Sequence, residues 1–270
     1  MTKKLENLSE DKFRALVEIL KILRSPDGCP WDRKQTHKSL VAHLLEEAHE
    51  VVEMIDYEDM DGLKGELGDL IMHIVFQAQI AEENDEFTID EVIESITQKL
   101  IRRHPHVFGE TEVSGEDEIV KNWEQIKMEE GRDSVIEGVP KSLSALIRAH
   151  RLQQKASQVG FDWDSAEPVW GKVEEEFDEL KDVVENGATE EVEDEFGDML
   201  FSLVNLSRFL KVNPEDALRG TIQKFIRRFQ AIETRIDEQD LDMNSMSLEE
   251  LDSHWNAVKA SENESEHQPD

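Results

Sequence analysis

Two pairs of short strings place eight carboxylates in one repeated arrangement. LLEEAHEVVE (44–53) sets Glu47 and Glu50 three residues apart, and GELGDLIMHIV (65–75) does the same for Glu66 and Asp69. VEEEFDELKD (173–182) and DEFGDMLFSLV (194–204) repeat the pattern with Glu176/Glu179 and Glu195/Asp198. The offset is identical for both pairs, since 175 − 46 = 129 and 195 − 66 = 129. Residues three apart on a helix share a face, with Cβ atoms about 5–6 Å apart. Two such pairs on adjacent antiparallel helices bring four carboxylates to one place. Like charges at that range repel, and partial burial worsens the repulsion. A cation between them resolves it. An oxygen donor set with no thiol and no repeated histidine suits Mg²⁺ first and Mn²⁺ second.

Neighbouring residues carry competing readings. Glu46 and Glu53 read as a solvated face. Glu46-x-x-His49 imitates a di-iron motif, but Asp178 stands where the second copy would need the histidine. His104 and His106, flanking Pro105, read as a helix terminus. Gly68 and Gly197 occupy the same place in E-x-G-D. A helical glycine costs about 1 kcal/mol against alanine, and either close approach of a neighbouring helix or a plain kink accounts for it.

Cations repeat as well. KLIRR (99–103) matches KFIRR (224–228), so Arg102/Arg103 and Arg227/Arg228 close equivalent helices. Guanidinium forks suit phosphate oxygens; salt bridges to the abundant acids are the competing use. Lys172 stands one turn before Glu176, with His43 at its place in the first copy. Trp123 and Trp255, followed by Lys127 and Lys259, suit either a base-stacking surface or a core.

Helices must position these groups, and helical periodicity dominates the sequence. SEDKFRALVEILKILR (9–24) predicts a helix capped by Ser9, with Phe13, Leu16, Leu20 and Leu23 along one stripe. SPDGCPWDRKQT (25–36) reads as a loop. Further helices are predicted near 37–57, 60–83, 89–101, 116–130, 142–158, 165–186, 189–211, 214–239 and 247–260. No alternating strand pattern stands out. CPWD (29–32) pairs with VGFD (159–162) and WEQIK (123–127) with WNAVK (255–259), completing a tandem duplication. The expected organisation is a first helical repeat over 1–128, a linker over 129–141, a second repeat over 142–260 and a polar, disordered tail over 261–270.

Composition narrows the function. The chain has 270 residues, with 63 Asp+Glu against 30 Lys+Arg and a formal charge of −33. Such a charge repels nucleic acid and anionic membranes, so neither is an expected partner. Cys29 is the single cysteine, which excludes an intrachain disulfide. MTKKLENLSED lacks a signal-peptide pattern and no apolar run approaches a membrane span, so the expected setting is the cytoplasm.

Over nearly its whole length the chain resembles the MazG nucleoside triphosphate pyrophosphohydrolases. The strings that carry the likeness are CPWD, LEEAHEVVE, GELGDL and RRHPHVF in the first half. GVP (138–140), VGFDW (159–163), EEEFDEL, EDEFGDMLF and QKFIRRF (223–229) carry it in the second. The resemblance implies an all-α fold of two tandem repeats, assembled as a homodimer. It also implies Mg²⁺-dependent hydrolysis of nucleoside triphosphates to the monophosphate and pyrophosphate. On the matching positions, Glu176, Glu179, Glu195 and Asp198 correspond to metal ligands, as do Glu47, Glu50, Glu66 and Asp69 in the first repeat. Lys172, Glu175, Lys224, Arg227 and Trp255 fall where nucleotide is held, and the second repeat is the expected catalytic one. From the charges, a water attacks the α-phosphorus, Glu175 or Glu176 takes its proton, and Lys172 and the arginines neutralise the phosphate chain. The competing class is a non-enzymatic acidic helical scaffold or nucleic-acid mimic, with acids spread evenly over solvent faces and no need of a glycine among them.

Overall fold

The computed structural model of the chain describes residues 8–115 and 134–266, with 118, 119, 122, 123, 126 and 130 between them. Among these residues there are helices and no strand. Two compact units divide the chain, Met1–Glu116 and Asp117–Asp270.

The first unit comprises α1 (Lys12–Arg24), α2 (Pro30–Lys34), α3 (Val41–Asp56), α4 (Met60–Glu83), α5 (Ile89–Arg103) and α6 (Pro105–Phe108). Capping chemistry sets several starts. Asp11, rather than the expected Ser9, caps α1, its side chain accepting from the Arg14 amide at 2.8 Å. Thr88 and Glu91 form a reciprocal capping box at α5. Prolines at the first helical position open α2 and α6. The predicted loop over 25–36 therefore contains a short helix. His104 ends α5, its Nδ1 2.7 Å from the Leu100 carbonyl, which is the terminus role read from HPH.

Val17 and Leu20 of α1, Leu40, Ile89 and Val75, Phe76, Ala78 and Ile80 of α4 form the core of this unit. Partly buried Leu16 and Leu23 pack against them. The α3–α4 hairpin is the most extensive helix pairing of the unit.

The second unit comprises α7 (Ala145–Ser157), α8 (Ala166–Asn186), α9 (Thr189–Phe209), α10 (Pro214–Glu238) and α11 (Leu248–Glu266). The α8–α9 hairpin repeats α3–α4, and α7 packs on α9 as α1 packs on α4. Burial follows the duplication: Leu40 is 1% exposed, and Val169, its equivalent in the second copy, is 0% exposed. A smaller core of Ile232, Ile236 and Val258 joins α10 to α11, with Trp255 packed against it. The last helix continues to Glu266, into the stretch expected to be a polar tail.

Candidate active site

In the second unit, α8 projects Lys172, Glu175, Glu176 and Glu179 while α9 projects Glu195 and Asp198. Glu176, Glu179 and Glu195 each offer an oxygen within 4.8 Å of the others. Asp198 lies outside that trio but is felt by it. The Glu195 carboxyl is held above its ordinary range by burial, with Glu179, Asp198 and Glu176 adding repulsion. Glu176 is 6% exposed. Lys172 Nζ reaches Glu176 Oε1 at 2.7 Å and Glu175 Oε1 at 2.8 Å. These two bonds push the ammonium well above the ordinary lysine range.

The first unit builds the same group differently. Glu47, Glu66 and Asp69 supply the three oxygens within 4.8 Å, and Glu50 lies outside. Burial raises the Glu47 carboxyl, and Asp69, Glu50 and Glu66 raise it further. His43 takes the place of Lys172 but approaches Glu46, at 3.6 Å. Buried His73 stacks on His43, with ring centroids 6.4 Å apart, and its Nε2 lies 3.9 Å from Glu47 Oε1. In each unit the repulsion, the partial burial and the all-oxygen trio fit a bound cation.

Gly68 and Gly197 are not explained by close approach within the chain. A Cβ added at either would meet nothing within 4 Å.

A cavity of about 370 Å³ opens beside the second trio. Lys172, Glu176 and Asp198 line it together with Gln153, Asn205 and Ser202. Phe161, 82% exposed, and Trp163 also line it. Gln153, Asn205 and Ser202 went unremarked in the sequence. Their signal was available in the duplication, because the offset that aligns the acid pairs also sets Asn205 at the place of Phe76.

The other expected nucleotide-binding groups gather elsewhere. Arg227 and Arg228 both donate to Glu262, at 3.0 and 2.7 Å. The Arg228 guanidinium lies 5.7 Å from the Trp255 ring centroid, and Phe225 is 5.5 Å from it. So the salt-bridge reading of the arginines and the core reading of Trp255 both hold for the isolated chain. Neither they nor Lys224, on the same helix α10, line the cavity. Arg102 and Arg103 occupy the last turn of α5. Lys127 lies outside the described residues.

Comparison with known proteins defines the class. A family model for the MazG nucleotide pyrophosphohydrolase domain matches residues 35–108 and again 167–232, covering the two acid-bearing hairpins. The chain belongs to this family. It is 48% identical, over 92% of its own length and 95% of the relative's, to a nucleoside triphosphate pyrophosphohydrolase/pyrophosphatase MazG of Thermotoga maritima. It is 41% identical, over 92% and 97%, to a nucleoside triphosphate pyrophosphohydrolase of Escherichia coli strain K12. An uncharacterized Bacillus subtilis protein, YabN, is 45% identical over 96% of the chain, which spans 54% of that protein.

Proposed function

We propose that the chain hydrolyses nucleoside triphosphates to the monophosphate and pyrophosphate, with Mg²⁺ as cofactor, Mn²⁺ as its substitute, and the second repeat as the working site. The observation that carries this reading is the carboxylate trio of Glu176, Glu179 and Glu195 beside a cavity that also receives Lys172. The names of the relatives from T. maritima and E. coli support it. We take Glu47, Glu50, Glu66 and Asp69 as a second cation site, and each repeat as one of the two compact units.

Glu176, Glu179 and Glu195 would hold the ion, with Asp198 completing the set. Bound there, the ion supplies Lewis-acid charge for the phosphate oxygens and for a water. Glu175 stands outside the trio and is paired with Lys172, so it is the carboxylate left to accept the water's proton once Lys172 turns to the phosphate chain. The water oxygen bonds to the α-phosphorus as the bond from that phosphorus to the α,β-bridging oxygen breaks. Pyrophosphate leaves with the electron pair. Lys172 lies in hydrogen-bond contact with both acids and can swing its ammonium to the phosphate chain, offsetting the negative field of the protein.

The assembly is read as a homodimer. Leu67, Ile71 and Ile74 form an exposed stripe along α4, between 43% and 46% exposed. Phe196, Leu200 and Leu203, at the matching places of the second copy, form the same stripe along α9. Exposed apolar stripes of this kind mark contact surfaces. Gly68 and Gly197 lie one residue past the start of each stripe, where a helix of a second copy could approach their open faces. Such packing could also bring Lys224, Arg227, Arg228 and Trp255 to a phosphate chain. A role in clearing unwanted nucleotides in the cytoplasm agrees with this chemistry. No helix among the described residues is long and apolar enough to cross a membrane.

The test is incubation with ATP and Mg²⁺. Formation of AMP and pyrophosphate is expected, whereas ADP and phosphate would overturn the assignment of the attacked phosphorus.

A further inference from the structure

The duplication puts a surface cavity at the same place in each repeat and reverses the charge of its lining. In the first repeat Lys21 and Arg24 of α1 line a space of about 360 Å³ with Gln79, Glu82 and Glu83 of α4. In the second, His150 and Gln154 of α7 line one of about 390 Å³ with Arg208 of α9 and with Lys211 and Asn213 of the turn that follows. The offset of the acid pairs sets Arg208 at the place of Gln79, Lys211 at that of Glu82 and Val212 at that of Glu83. The CPWD and VGFD strings differ by 159 − 29 = 130, which sets Gln154 at the place of Arg24 and His150 at that of Leu20.

The first cavity neutralises itself. Lys21 Nζ lies 2.8 Å from Glu82 Oε1, and Arg24 Nη2 lies 2.6 Å from Glu83 Oε2. The second has lost both acids and gained two cations, and no carboxylate lines it. Arg208 is answered from outside the lining by Asp162, at 2.6 Å. Lys211 has no hydrogen-bond or ion-pair partner among the described residues. The first acids of α10 are engaged elsewhere, Glu215 accepting from the Ser144 hydroxyl at 2.6 Å and Asp216 pairing with Arg219 at 3.2 Å. Burial, then the repulsion of Arg208 and Arg151, holds the His150 imidazole below its ordinary value, so positive potential reaches this wall of the cavity.

The neutral groups of the lining are turned to donate as well. Gln154 Oε1 accepts from Arg151 Nη1 at 2.8 Å, which leaves the Gln154 amide nitrogen as a donor. Asn213 Oδ1 accepts from the Glu215 amide at 3.1 Å, which does the same for the Asn213 amide nitrogen. Ammonium, guanidinium and two amide nitrogens therefore border one space from α7, α9 and the turn after α9. In a chain of net charge −33, cations gathered without acids lack their counter-charge.

We propose that this cavity binds a phosphate-class oxyanion, held by Lys211 and Arg208 and by the amide donors of Gln154 and Asn213. Several acceptor oxygens on one centre suit donors that arrive from three elements, and arginine and lysine both serve phosphate. The site is separate from the carboxylate trio, which needs a cation before it can approach phosphate. Its existence does not depend on the hydrolysis proposed above, although that reaction releases an anion of this class. Arg208 also lines the larger cavity, so a bound anion shares one guanidinium with Asp162, in the stretch that carries Phe161 and Trp163.

The experiment titrates pyrophosphate, inorganic phosphate and AMP separately into the full chain by calorimetry in the presence of EDTA. Without a divalent ion the carboxylates repel all three, so heat reports a basic site. Lys211→Glu and Arg208→Gln each install the first-repeat residue. Wild type is expected to bind at least one of the three, and each variant to bind it about ten-fold more weakly. Binding of pyrophosphate or phosphate without AMP supports the site and makes its ligand inorganic; binding of AMP as well supports it and extends the ligand to phosphate esters. Arg208 also anchors Asp162, so circular dichroism accompanies Arg208→Gln, and Lys211→Glu, on the exposed turn, decides the matter if that variant unfolds. A wild-type chain that binds none of the three overturns the proposal. So does affinity unchanged in Lys211→Glu, which would place any bound anion at other cations.

Discussion

Lys172 Nζ lies 2.7 Å from the buried Glu176 Oε1, so the second acid group carries a positive charge of its own. No lysine stands at the corresponding place of the first repeat, where His43 points toward Glu46. This lysine competes with a cation for the carboxylates while offering a partner to phosphate. Lys172→Met is therefore expected to bind Mg²⁺ more tightly in the absence of nucleotide, by about ten-fold. Turnover should fall by about 100-fold, the usual loss when one charge-stabilising donor is removed. Calorimetry of Mg²⁺ binding alongside an AMP-release assay measures both effects, which run in opposite directions.

The two acid groups can be separated by substitution. Glu179→Gln and Asp198→Asn are expected to abolish AMP release while circular dichroism shows unchanged helix content. Glu66→Gln, in the first trio, should retain turnover. Loss of activity on changing Glu66 alone would move catalysis to the first repeat.

Metal removal gives a third check. EDTA should stop turnover and Mg²⁺ should restore it. Because the acids repel one another, added Mg²⁺ should also raise the melting temperature of the EDTA-treated protein, by an amount that Glu179→Gln diminishes. A melting temperature indifferent to Mg²⁺ would show that the carboxylates coexist without an ion.

The course of the helices was legible because it rests on spacing within each segment, and three of the four acids expected to converge in each repeat do so, Glu50 and Asp198 falling outside the trios. α4 begins and ends where periodicity placed it, at Met60 and Glu83. The capping residue of α1 was misplaced by two positions because Ser9 and Asp11 are both good caps, and only the realised chain direction selects Asp11. Gly68 and Gly197 invited an intrachain contact that the folded chain does not make. The cavity was hidden for a different reason. Asn205 and Gln153 look like ordinary polar residues until the first repeat shows that their places belong to a core. The tie between Glu262 and both arginines depends on α11 folding back along α10, which no local pattern announces.

Glu83 provides a pH test away from the site. Hydrogen bonding from Arg24, against the cost of burial, holds its carboxyl below the ordinary value of 4.5. A depressed folded value means that the stabilisation is present above the unfolded value and is lost as pH falls through the folded one. Glu83→Gln should cost about 1 kcal/mol in urea denaturation at pH 7, since the pair is partly exposed. The difference from wild type should shrink steadily below pH 4.5. A difference that stays constant into acid would rule out the ionised pair as its source.

The exposed stripes predict the assembly. Ile71→Lys combined with Leu200→Lys should convert a dimer into a monomer in sedimentation velocity. An unchanged sedimentation coefficient would place the contact elsewhere.

The exchange of Phe76 for Asn205 shows how a duplicated bundle can divide its labour. One copy keeps an aromatic plug and the other gives it up for polar groups that face a hollow. A change of side-chain volume at Phe76 disturbs a filled core, whereas at Asn205 it alters the lining of a hollow. A substitution at the one place is therefore felt as packing, and at the other as the shape of a space.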